Sequence, residues 1–126
     1  MQAAYRRFWA VATTVERQPP RRWRAALATV AIDPFLTRLL EGFRAQRARG
    51  LRQYGTVSSR PTVVDLSTDR ASIVDCQDAS RSGEADLDSG LPRTVGAPRT
   101  PFAATLVRGS GRVWRLADAR YLAGSC

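Results

Sequence analysis

The spacing of apolar residues changes once along this chain, at Gly50, and that change limits the fold more than any single motif. Before Gly50 the apolar side chains recur with a helical period; after it they alternate as in strands. Tyr5, Phe8, Trp9, Ala12 and Val15 make one stripe over residues 2–17, which predicts a first helix. Pro19-Pro20 stops that helix and can start a second over 20–31, with Trp23, Ala26, Leu27 and Val30 inward. Asp33-Pro34 marks a third start, with Asp as N-cap and Pro at the first helical position. Leu36, Leu39, Leu40 and Phe43 share one face of this helix. Arg44, Arg47 and Arg49 crowd its last turns, where cations suit the helix dipole, and Gly50 closes it.

Beyond Gly50 a first strand lies within 53–66, containing "TVVDL", with Pro61 at an edge or bend. Strands over 71–78, 101–108 and 112–117 follow, the last two joined by a "GSG" turn at 109–111. Residues 121–126 make a short tail. The piece "SRSGEADLDSGLPRTVGAPR" reads as a loop or loose hairpin with "DSG" at a turn. The expected architecture is α+β, one domain over 1–126. Three N-terminal helices (1–50) lay their stripes on a curved, mainly antiparallel sheet of four to five strands (51–126).

The net charge is +9, and arginine is the only basic residue type: lysine and histidine are absent. Residues 1–52 hold eleven arginines against Glu16, Asp33 and Glu41, so nearly all the surplus falls on the helical half. Arg21, Arg22, Arg24, Arg44, Arg47 and Arg49 are the candidate basic face, suited to an anionic surface or to nucleic acid. The simpler account is a genome that writes Arg for Lys everywhere. Without histidine the chain lacks the commonest general base and zinc ligand, so any catalysis would run on carboxylates, tyrosines or thiols. The start, Met1 to Tyr5, has no basic region leading into an apolar one. The chain is therefore either cytosolic or lacks a segment that would carry its export signal.

Several residues in the second half carry a resemblance. They are Pro61, Val63 and Val64; Ala71, Ile73, Asp75, Cys76 and Asp78; Ala104 to Arg108; Gly111, Trp114 and Arg115; and Gly124 with Cys126. This pattern resembles small actinobacterial envelope proteins of the nuclear-transport-factor-two-like, cystatin-like cone superfamily. The resemblance covers roughly 55–126; the helical half agrees in layout only. It implies a cone with a pocket opening between helices and bent sheet, and an exported or lipid-anchored protein. A membrane would then be reached only through an N-terminal anchor missing here. Domains of this shape also serve secretion and conjugation machineries and phage- or plasmid-encoded lipoproteins. A superinfection-exclusion or conjugation role is thus compatible, though no residue argues for it.

The two-cysteine count and the family pattern together imply a Cys76–Cys126 disulfide, hence an extracytoplasmic location, in the envelope or secreted. A metal site completed by Asp75 or Asp78, a thiol nucleophile, and two unrelated reduced thiols stay open as alternatives. No cofactor is expected. Ala71, Ile73 and Asp75 share one strand face. If that face meets the helices, Asp75 points toward the mouth of the cone, with Tyr5 and Trp9 as candidate pocket residues. The simpler account pairs Asp75 with an arginine or with backbone at the sheet's rim. The leading expectation is a non-catalytic binding or assembly domain with an envelope protein or anionic surface as partner. One alternative is a cone-fold isomerase- or dehydratase-like enzyme using Asp75 as base and Tyr5 or Tyr54 as proton donor. The other is a basic nucleic-acid binder, disfavoured because the helices use their apolar faces on the sheet.

Overall fold

The structure is a computed structural model describing residues 1–126. Three α-helices, α1 (Gln2–Ala12), α2 (Trp23–Ala28) and α3 (Phe35–Ala48), precede six strands. These are β1 (Leu51–Gly55), β2 (Pro61–Leu66), β3 (Arg70–Gln77), β4 (Ser82–Asp86), β5 (Thr100–Arg108) and β6 (Trp114–Tyr121). All strand pairings are antiparallel. The main sheet has four strands in the order β2-β3-β5-β6, and β1 pairs with β4 in a separate ribbon. The fold is thus α+β as expected, but with six strands in two sheets instead of four to five in one.

The helices are shorter than their stripes predict, for local reasons. The Thr13 and Thr14 hydroxyls donate back to Trp9 O and Ala10 O, each 2.7 Å away. Such back-bonding competes with helix propagation, and α1 ends there. The stripe runs on through a 3₁₀ turn, Val15–Arg17, that still buries Val15. The second helix opens as a 3₁₀ turn, Pro20–Arg22, and stops at Ala28, because the chain then joins the sheet. Leu116 N–H donates to Val30 O, and Ile32 N–H donates to Leu116 O. Residues 30–32 therefore run beside β6, with Ala31 opposite Leu116. Asp33 sits one residue farther out than the N-cap expected of it, since the helix begins at Phe35. Its carboxylate nevertheless accepts the Thr37 N–H at 2.9 Å and the Thr37 hydroxyl at 2.6 Å.

In the sheet half the expected first strand splits at Gly55 (φ 78°) into β1 and β2. The stretch read as a loop contains β4, although "DSG" does form part of a turn: Asp86 accepts the N–H groups of Asp88 and Ser89. One apolar cluster joins both halves. Tyr5, Phe8, Trp23, Leu27 and Leu40 from the helical half meet Ile73, Phe102, Leu106 and Leu116 from the sheet. Each of these side chains removed from water contributes roughly 1.5–3 kcal/mol of hydrophobic stabilisation.

Candidate functional site

β3 places Ala71, Ile73 and Asp75 inward, as its alternation requires, and Cys76 outward. Cys76 is bonded to Cys126, with Cα atoms 5.7 Å apart across a sequence separation of 50. Both thiols are consumed in that bond, so neither serves as nucleophile or metal ligand here. An internal disulfide is compatible with an oxidising, extracytoplasmic compartment.

Asp75 is only 1% exposed, and its two oxygens have separate partners. The Tyr5 hydroxyl donates to Oδ2 at 2.7 Å and the Arg60 backbone N–H donates to Oδ1 at 2.6 Å. No arginine side chain pairs with it. Of the simpler alternatives, the backbone bond is the one found. Burial, and then the bond to Asp75, pushes the Tyr5 phenol far above its ordinary value. Tyr54 donates its hydroxyl to Thr94 O at 2.8 Å. Asp78 accepts from the N–H and hydroxyl of Ser80, the geometry of a turn.

An apolar cavity of about 290 Å³ opens between the helices and the inner side of β5 and β6. Phe8 and Trp9 of α1, Phe35 and Leu39 of α3, and Phe102 and Tyr121 of the sheet supply the larger apolar side chains of its wall, together with Phe43. Trp9 packs edge-on to Phe102 at 5.2 Å, and Phe102 likewise to Tyr121 at 4.9 Å. Of the three expected pocket residues only Trp9 lines this cavity. Tyr5 and Asp75 lie outside its wall, bound to each other in the core. The aim toward the mouth expected of Asp75 is corrected by burial: its carboxylate, on the inner strand face, is sealed against Tyr5 of α1 before it reaches the opening.

Beside the cavity, and sharing Phe35, Leu39 and Phe43 with it, lies a more open groove of about 460 Å³. Arg38 and Asp118 line the groove and Arg120 lines the cavity. Asp118 sits between the two cations, 3.3 Å from Arg38 and 3.8 Å from Arg120. Sequence reasoning missed all three residues, together with Phe102 and Tyr121. Strict alternation would put Asp118 on the same face as Leu116. The register shift opposite Thr105 and Leu106 instead lets Leu116 and Ala119, three apart, both face the core. Only the register shows which side chains reach the cleft.

The six arginines of the candidate basic face do not act alike. Arg47 lies 5.2 Å above the Trp23 ring, which draws the end of α3 onto the start of α2. Arg24 approaches Asp33 at 3.7 Å and Arg49 pairs with Glu84 at 2.9 Å. Arg21, Arg22 and Arg44 are exposed and make no ion pair. Arg47 keeps its charge over the indole, so four of the six arginines are without an acidic partner and three of those are exposed.

No helix is long and apolar enough to cross a membrane. No family model matches the chain, and no curated protein matches it. Among solved structures it is similar to the intermembrane space region of chloroplast protein ARC6, with a TM-score of 0.68 at 12% identity. That match covers 98% of this chain and 94% of the other. At such identity the likeness is one of fold alone.

Proposed function

We propose that this chain is a non-catalytic binding or assembly domain of an exported or lipid-anchored envelope protein, with a cone of the nuclear-transport-factor-two-like type. The observation that carries the reading is the clasp on Asp75. A general base must reach its substrate. The carboxylate best suited by position is closed off by Tyr5 and Arg60 and stands outside the cavity wall. What the cleft offers is apolar surface with a charged lip, the composition of a binding site. The disulfide supports placement outside the cytoplasm, where thiols are not kept reduced. Location also argues against nucleic acid as the partner. The exposed Arg21, Arg22 and Arg44 would then meet an anionic envelope component.

The test is thiol trapping on the protein in its own cells, by fraction. The expected result is a protein of the envelope or secreted fraction that alkylates only after reduction. A cytosolic protein with two free thiols would overturn the reading and return the arginine-bearing helices to a polyanion role.

A further inference from the structure

Resting on the binding reading, we infer that the cleft takes a small amphiphilic carboxylate, its apolar body in the cavity and its anion on Arg120 and Arg38. The cavity sets the body. At about 290 Å³ it lies at the small end of ligand sites, roughly 300–1,000 Å³, and holds one ring or a short acyl chain. Phe8, Trp9, Phe35, Phe102 and Tyr121 give that body aromatic faces and edges on several sides.

The lip sets the head. Two guanidinium groups share one carboxylate at Asp118, which leaves one positive charge in surplus beside the apolar wall. Both arginine side chains are more than half exposed (56% and 67%). Each can turn toward a ligand without breaking a buried contact. Guanidinium recognises carboxylate through two parallel N–H···O bonds. No acid lines the cavity, and the one acid of the adjoining groove is already paired, so an amine head would find only repulsion. A neutral head would leave the surplus charge without a partner. A carboxylate neutralises it at the point where the apolar wall ends.

The test is calorimetric titration of the disulfide-intact protein with 3-phenylpropionate and with its neutral amide, repeated on two variants. The acid should bind at least tenfold more tightly than the amide. Arg38→Gln with Arg120→Gln, both on exposed side chains, should remove that preference while changing amide binding less than twofold. Ala119→Phe, which fills the cavity from β6, should weaken both ligands at least tenfold while the circular-dichroism spectrum stays native. Equal binding of acid and amide, or no binding of either, would overturn the inference. Mass spectrometry of the recovered acid separates this from the reading it rests on. Unchanged acid agrees with a non-catalytic domain; a turned-over product would sink that reading and leave the site standing.

Discussion

A buried acid, Asp75, and a half-buried one, Glu16, behave differently because their partners differ. Asp75 has a partner for each oxygen, so its burial is compensated. Tyr5→Phe removes one of them and strands a carboxylate oxygen in the core. The expected loss is about 1–3 kcal/mol, read as a lower urea midpoint at unchanged slope. A midpoint equal to wild type would show that the clasp contributes nothing. The same phenol has a folded pKa above its unfolded value near 10, so its contribution is present below about pH 10 and fades above it. Tyr5→Phe should therefore differ less from wild type in strong alkali. Glu16 is the contrast. Its Oε1 accepts the Gln53 N–H at 2.9 Å, but Oε2 is buried without a partner. Burial raises its pKa against the opposing pull of Arg47 and Arg52. With the folded pKa above the unfolded one, the benefit is full below about pH 4 and lost as pH rises through the folded value. Wild type should therefore gain stability relative to Glu16→Gln between neutrality and pH 4, measured by urea unfolding at both ends. A constant difference across that interval would contradict the assignment.

At the scale of elements, β1 and β4 explain why part of the fold was hidden in the sequence. β2, β3, β5 and β6 carry Val, Ile, Thr or aromatic residues and are legible as strands, although β6, expected over 112–117, begins at Trp114 and runs on to Tyr121. "LRQYG" and "SGEAD" lack that composition, and no local preference makes "SGEAD" a strand. The ribbon forms because its surroundings close on it. Thr94 donates its N–H to Glu84 O, Gly96 N–H donates to Ser82 O, and Tyr54 reaches Thr94 O. That closure needs glycine at several points: a Cβ on Gly83 would run into Thr94 O, one on Gly55 into Arg81 O, and one on Gly96 into Ala79 O. These contacts are with backbone, which cannot swing away. Gly83→Ala should cost about 1–3 kcal/mol and raise proteolysis within 92–97. Gly109→Ala, where nothing lies within 4 Å, should change stability by less than about 0.5 kcal/mol. Similar losses at both positions would mean the close approach is absent in solution. The cleft, too, is built partly from contacts between distant segments. The helical stripes could be read directly, and Trp9 was found through them. Asp118 and Arg120, two apart on β6, share a face by alternation, but Arg38 reaches them only because α3 packs beside β6, which no local pattern encodes.

For the whole molecule the decisive link is the one between Cys76 and Cys126. The tail after β6 is mostly exposed, and its noncovalent ties are few: Leu122 N–H to Pro101 O, and Arg99 to Cys126 O at 3.2 Å. Contacts so sparse add little to the folded state, so the bond acts mainly by restricting the unfolded chain. Closing a loop with a separation of 50 residues is worth about 4 kcal/mol on the chain-entropy account. That is a large fraction of the roughly 5–15 kcal/mol by which such domains are stable. The chain also carries a net charge of +9, whose self-repulsion favours expansion when the cross-link is gone. Cys126→Ser should therefore lower stability by about 4 kcal/mol and steepen the denaturant slope, because its unfolded chain exposes more surface. Cys76→Ser/Cys126→Ser should match the single variant within about 0.5 kcal/mol, since the two differ only at Cys76, which faces outward on β3 and stands outside the core cluster. Reductant should shift the wild-type midpoint to that of the variants and leave theirs unmoved. If the reduced protein unfolds at the wild-type midpoint, the tether is not part of what stabilises the domain, and the oxidising compartment loses its physical support.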